Sequence, residues 1–146
     1  MITLRETSDL RELMEWRREV IANVFGREPD AALMDANLEY YRNNIPSGRH
    51  IAFVAEADGI PAGCGAICLS EELPSPDNPS GRCAYLMNIY VRKEFRAHGL
   101  GHDIVRILVE TAREKGCGKI YLETTPEGRP LYESLGFKDM KDMLKL

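Results

Sequence analysis

Apolar and polar positions along the chain alternate with a period near two in some stretches and near 3.6 in others, and each change of period marks an element boundary. Residues 2–6 read as a short strand. Thr7-Ser8-Asp9 then offers caps for a helix whose apolar positions are Leu10, Leu13, Met14, Val20, Ile21, Val24 and Phe25, ended by Gly26. Pro29-Asp30 opens a second helix to about Asn44, with Leu33, Leu38 and Tyr41 as its buried positions, and Pro46-Ser47-Gly48 breaks it. Residues 50–57 and 61–69 are two strands around the hairpin signal Asp58-Gly59.

The next strand, residues 83–92, follows a proline-rich stretch over 73–81 that reads as an internal surface loop. A glycine-containing turn leads into a helix with Leu100, Ile104, Ile107, Leu108 and Thr111 on one face, closed by Gly116 and Gly118. Residues 119–125 form another strand. Gly128-Arg129-Pro130 starts a short helix to about Leu135, and residues 137–146 should return as a final strand or hairpin. The order predicts an α/β (α+β) chain with a mixed sheet, in which the strand, helix and strand over 83–125 make a parallel crossover. A dinucleotide-binding Rossmann domain is disfavoured, because its glycine fingerprint follows a first strand and an acid lies about 20 residues further on.

Composition narrows the class. A chain of 146 residues fits one domain, spanning 1–146, and can bury a real core. The amino terminus lacks a secretory signal pattern, and no apolar run approaches a membrane span, so a cytoplasmic protein without membrane contact is expected. Cys64, Cys68, Cys83 and Cys117 include no Cys-x-x-Cys pair and read as reduced, buried thiols. Charge is uneven: residues 1–80 hold 14 acids and 7 arginines, a balance of −7, while residues 81–146 hold 9 acids and 12 bases, a balance of +3. The acidic first half argues against nucleic acid and favours cationic acceptors, and the basic second half suits an anionic ligand.

The strongest chemical signal lies in that second half. Arg96-Ala97-His98-Gly99-Leu100-Gly101 joins an apolar strand to a helix, an arrangement that leaves the helix's first N–H groups free to cradle a pyrophosphate. About thirty residues on stands Leu131-Tyr132-Glu133-Ser134-Leu135-Gly136-Phe137. The pair of motifs, with the helix and strand between them, resembles the GNAT superfamily of acetyl-CoA-dependent N-acetyltransferases over about residues 85–137.

The resemblance implies a GNAT-like fold with helices on both faces of a central mixed sheet, and acetyl-CoA as cosubstrate. It implies that the backbone of Arg96, Ala97, His98, Gly99, Leu100, Gly101 and His102 binds the pyrophosphate. It also implies that a bulged strand at Ile89, Tyr90 and Val91 presents main-chain groups to pantetheine, and that Tyr132 is the catalytic residue that protonates the departing thiolate. The chain departs from the family at Ala97, where Gly is frequent, and at His98, where a base is frequent. Thr125 stands nearest to the place of a frequent Asn that would bond the cofactor. Many members carry an acid where this chain has Met87 and Asn88, so the general base is open among Glu56, Glu71, Glu72 and Glu123.

His98 and His102 are four apart but lack a third ligand, so no metal is expected. No nucleophilic triad is apparent, and direct attack of a bound amine on the thioester needs none. The expected activity is acetyl transfer from acetyl-CoA to a primary amine, either a small molecule or a protein amine, with a homodimer left open. The alternative is a noncatalytic acyl-CoA-sensing or protein-interaction domain on the same scaffold, which the missing acid at Met87 and Asn88 would suit.

Overall fold

The structure, a computed structural model, describes residues 1–146. Strand β1 (Ile2–Thr7) leads to helices α1 (Leu10–Val24) and α2 (Ala31–Asn44), and then to strands β2 (His50–Ala57), β3 (Ile60–Glu71) and β4 (Arg82–Val91). Helix α3 (Leu100–Glu114), strand β5 (Lys119–Tyr121) and helix α4 (Arg129–Ser134) follow. The five strands lie in sequence order in one sheet; the first three pairings are antiparallel, and β4 pairs with β5 in parallel. The caps are where the sequence puts them: Asp9 accepts from Arg11 and Glu12 N–H, and Asp30 accepts from Leu33 N–H. Asp58 and Gly59 both take positive φ, 50° and 81°, as a tight hairpin between twisted strands requires.

Both faces of the sheet are covered, and β2 shows the consequence most clearly. Its alternate residues Ile51, Phe53 and Ala55 pack with Leu100, Ile104 and Leu108 of α3. Val54 packs with Trp16 and Val20 of α1, and Ala52 with Leu13 of α1 and Tyr41 of α2. A strand buried on both sides carries an unbroken apolar run in place of alternation. Helix α3 reaches the sheet closely because β3 has no side chain at two positions beneath it. A Cβ on Gly65 would stand 2.5 Å from Ile104 Cγ2 and 3.1 Å from Leu108 Cδ1.

The structure departs from the periodicity at the end of the chain, along α1 and α2, and after Tyr121, where β5 stops short of the strand expected over 119–125. Residues 137–146 form no strand. Their sequence, rich in Lys and Asp and without β-branched residues, has little preference for extended pairing, and β5 offers an edge only three residues long. Val24, Phe25 and Leu33, expected in the core, are exposed, because each helix buries a narrower stripe than its apolar positions would allow. The proline-rich loop is tied down by Asn78, which is 2% exposed and whose amide donates to the Arg82 carbonyl at 3.1 Å and to Glu72 Oε1 at 3.2 Å.

At the start of β2, His50 is buried against Tyr40 and Tyr41 of α2, both rings edge-on to it. Its Nδ1 lies 2.9 Å from the Tyr40 hydroxyl, while Nε2 is buried without a partner. Burial first, and the nearby Arg17 charge second, push its pKa down to about 4.

Two outcomes follow from this packing. Gly65→Ala should lower stability by about 1–3 kcal/mol, because the new methyl must displace Ile104 in a filled core; urea unfolding midpoints measure it, and an unchanged midpoint would contradict the close approach. For His50 the unfolded chain, with an ordinary pKa near 6.5, binds the proton more readily than the folded one. Stability contributed by the neutral ring is therefore complete above about pH 6.5 and is lost as pH falls toward 4, by about 2 kcal/mol between pH 7 and 5. Unfolding free energies at the two pH values should differ less in His50→Gln than in the wild type; equal differences would exclude the buried neutral ring.

Candidate functional site

The site begins with an irregularity in β4. Opposite Gly65 the register shifts: Cys64 pairs with Tyr90, but Ala66 pairs with Met87, so Asn88 and Ile89 together face one residue of β3. Asn88 adopts φ of 56°, a left-handed conformation that asparagine tolerates better than most residues, and its carbonyl accepts from Cys64 Sγ at 3.3 Å. On the other side, β5 accompanies β4 only as far as Tyr85, which pairs with Tyr121. Beyond that point the two strands part. Ile89, Tyr90 and Val91 thus lie on a bulged strand whose β5 side has no partner; their side chains meet the core, with Tyr90 9% exposed and edge-on to Trp16.

The chain then makes one 3₁₀ turn over Lys93–Phe95, anchored by Arg92, whose guanidinium donates twice to Glu19 at 2.9 Å and lies over the Trp16 ring. Arg96 Nε folds back to donate to the Val91 carbonyl at 2.8 Å. Ala97 takes φ of 66° and Gly99 φ of 85°, so the turn needs two left-handed residues. For alanine that conformation costs on the order of 1 kcal/mol. Leu100, 2% exposed, pins the first turn of α3 into the core. The N–H groups of residues 97–102 have no protein acceptor, and no side chain caps the helix. A Cβ on Gly99 would meet nothing within 4 Å. These unpaired donors, the positive end of α3 and the open space above Gly99 suit a pyrophosphate.

Of the two histidines, His98 is exposed in the turn. His102 Nε2 lies 2.9 Å from Ser134 Oγ and so links α3 to α4. Sequence spacing gave no sign of that contact. Thr125 is exposed, and its hydroxyl and carbonyl both accept from Gly128 N–H, at 3.3 and 3.1 Å, in the turn that starts α4. Its hydroxyl is thus engaged in building the turn.

A cleft of about 530 Å³ opens where β4 and β5 part, bounded on the far side by α1 and α2. Tyr132, half-buried on α4 and edge-on to Phe137, lines it. Its hydroxyl has no protein partner, and burial pushes its pKa up, so the proton is held firmly at neutral pH. Glu123, which accepts from the Tyr85 hydroxyl at 3.1 Å, lines it too. The other candidate bases are elsewhere: Glu56 pairs with Arg5 at 3.3 Å, Glu72 with Lys119 at 3.1 Å, and Glu71 is exposed at the end of β3. A larger, open hollow of about 910 Å³ lies between β5, α4 and residues 138–146; it touches neither β4 nor the turn at 96–102.

The helical wall of the cleft holds a group that sequence spacing could not assemble. Arg17 of α1 donates from Nε to Asn37 Oδ1 of α2 at 2.9 Å and from Nη1 to Asn88 Oδ1 of the β4 bulge at 2.8 Å. His50, Tyr40 and Tyr41 line the same wall. A separation of 71 residues joins Arg17 to Asn88, and only the Asn at a place where an acid was expected hinted at a role there.

Known proteins match this architecture. A predicted acetyltransferase from Clostridium acetobutylicum, crystallised with acetyl-CoA, superposes with a TM-score of 0.87 and 26% identity, covering 100% of this chain and 96% of that one. Thialysine N-epsilon-acetyltransferase of Sus scrofa is 31% identical over 108 residues, 59% of this chain and 64% of its own length. Glucosamine 6-phosphate N-acetyltransferase 1 of Oryza sativa subsp. japonica is 36% identical over 90 residues, 60% of this chain and 53% of its own length. The matches thus span less than two thirds of these curated relatives. The sequence model of the Acetyltransferase (GNAT) family matches residues 10–137, and with the bulged β4, the glycine turn and the parting of β4 from β5 in their expected order, the chain belongs to that family.

Proposed function

We propose that the protein transfers the acetyl group of acetyl-CoA to a primary amine by direct attack of the amine on the thioester. One observation carries the reading: β4 leaves β5 after Tyr85 beside a helix start whose N–H groups at residues 97–102 are all unpaired. The open edge of β4 offers main-chain groups to an extended chain and the helix start offers N–H groups to an anion, and acetyl-CoA joins an extended amide chain to a pyrophosphate. The relatives' names support the class of acceptor, since thialysine and glucosamine 6-phosphate are small-molecule amines.

Acetyl-CoA supplies an activated acyl group. The backbone of residues 96–102 holds the pyrophosphate, with Gly99 allowing close approach and Gly101 making room for Leu131 of α4, and the main chain of residues 89–91 holds pantetheine in the manner of a neighbouring strand. An N–H on this segment is well situated to polarise the thioester carbonyl. Tyr132 keeps its proton at neutral pH because burial disfavours the phenolate, and it gives that proton to the sulfur as the C–S bond breaks. Glu123, oriented by Tyr85, accepts the proton that the attacking amine sheds. This carboxylate, two residues beyond the end of β5, stands in for the acid missing from β4.

Two measurements test the reading. Acetyl-CoA and CoA should raise Tm, since a ligand at 100 times its Kd stabilises the folded state by about 2.7 kcal/mol. Gly99→Val, folded and compared with its own unliganded Tm, should lose that rise; a full rise would remove the turn from the binding site. Tyr132→Phe keeps the ring and deletes the hydroxyl, so acetyl-CoA affinity should hold while single-turnover release of free thiol, with an amine acceptor, falls by about 10²- to 10⁴-fold. Wild-type rates in that variant would exclude the proton donor.

A further inference from the structure

We propose that the acceptor carries an anionic group, a carboxylate or phosphate, as well as its amine, and that Arg17 is the residue that binds it; the proposal rests on the acetyl-transfer reading above. The motive is an unbalanced charge. Arg5, Arg17, Arg92 and Arg129 are the half-buried arginines of the chain. Arg5 pairs with Glu12, Arg92 with Glu19 and Arg129 with Glu133, whereas Arg17 has no carboxylate within 4.0 Å. Its two partners, Asn37 and Asn88, are neutral amides. They fix the guanidinium while leaving its charge uncompensated, and they engage two of its five N–H groups. Removing a charge from water without a counterion is costly, so a bound anion gains both the charge and the free donors.

The surroundings support a ligand over a strut. Arg17 and Glu123 are the only charged side chains lining the cleft, Arg17 on the helical wall and Glu123 on the β5 side beside Tyr132. That layout complements a molecule with an anion at one end and an ammonium at the other. None of the acids that give residues 1–80 their balance of −7 lines the cleft, so the net charge does not speak for the acceptor. His50 supplies the second, independent sign. It is 4% exposed, lines the same wall, and its buried Nε2 has no protein partner. With Nδ1 engaged by the Tyr40 hydroxyl, Nε2 is the ring nitrogen left to meet a ligand near Arg17.

Matched acceptors decide the question. Free thiol released from acetyl-CoA is followed with lysine against lysinamide and with glucosamine 6-phosphate against glucosamine. In the wild type the anionic member of at least one pair should have a kcat/KM at least tenfold above its neutral partner, and the pair that responds says whether carboxylate or phosphate is read. Arg17→Gln should bring that ratio toward one, chiefly through the KM of the anionic member, and Arg17→Lys should keep part of it. A strut would depress both members alike and leave the ratio intact. Neutral acceptors equal to or better than anionic ones, or an unchanged ratio in folded Arg17→Gln, would overturn the proposal. Binding is read separately, as the Tm rise each acceptor gives in the presence of CoA, so the anion question is answered even without turnover. An equal rise within both pairs rejects the role of Arg17, whereas thiol release from none of the four, with no Tm response to acetyl-CoA, rejects acetyl transfer itself.

Discussion

The close approach of α3 to β3 is the constraint from which the site is built. Gly63 and Gly65 leave no Cβ where Ile104 and Leu108 lie, and a methyl at Gly63 would stand 2.7 Å from the Tyr90 carbonyl. With that spacing removed, α3 would lift from the sheet and its N-terminus would shift away from the end of β4. Because Ile104 and Leu108 are fully buried, the helix has no second low-energy seat. The turn at residues 96–101 is therefore held from below by Leu100 and from the side by Arg92, which is fastened to Glu19 and Trp16 of α1. Its donors can stay unpaired because its position does not depend on pairing them.

Gly65 also faces the bulge, and through it the two halves of the cleft become one device. Asn88 turns left-handed there, gives its carbonyl to Cys64, and offers its side-chain oxygen to Arg17. The irregular strand that frees main-chain groups toward the parted β5 thus also fixes the cation on the helical wall of the cleft. A regular strand would do neither: continued pairing with β5 would close the cleft, and a shift of one residue would exchange the faces of β4. The left-handed residue is tolerated because its neighbours use both of its polar ends.

Much of this was legible in the chain, and the division follows contact range. Helix caps at Asp9 and Asp30, the Asp58-Gly59 hairpin, the glycine turn and the face of α3 are local, set by residues within a few positions, and they stand where the pattern puts them. That Tyr132 lines the cleft agrees with its place in the motif. The contacts Arg17 to Asn88, His102 to Ser134 and Tyr85 to Glu123 were not, since each joins elements whose proximity is decided only by the sheet order. Periodicity misled where apolar residues serve a surface. Val24 and Phe25 continue the apolar pattern of α1 but line the cleft, and in residues 137–146 the apolar Phe137, Met140 and Met143 stand three apart, a spacing that gives an extended strand no apolar face.

Hydrogen-bond accounting separates the site from the rest of the molecule. Among buried side-chain nitrogen and oxygen atoms only His50 Nε2 lacks a partner, so the buried polar side chains are otherwise satisfied. The N–H groups of residues 97–102 are unused as well, and most of that turn is exposed, where water satisfies them at little cost. The two places differ in what they demand. The turn can wait in water, whereas His50 and the uncompensated Arg17 are already partly desolvated and hold their polar groups ready. Preorganised donors bind with less reorganisation, so the proposed acetyl transfer assigns acceptor selectivity to the buried corner and the cosubstrate's pyrophosphate to the exposed turn.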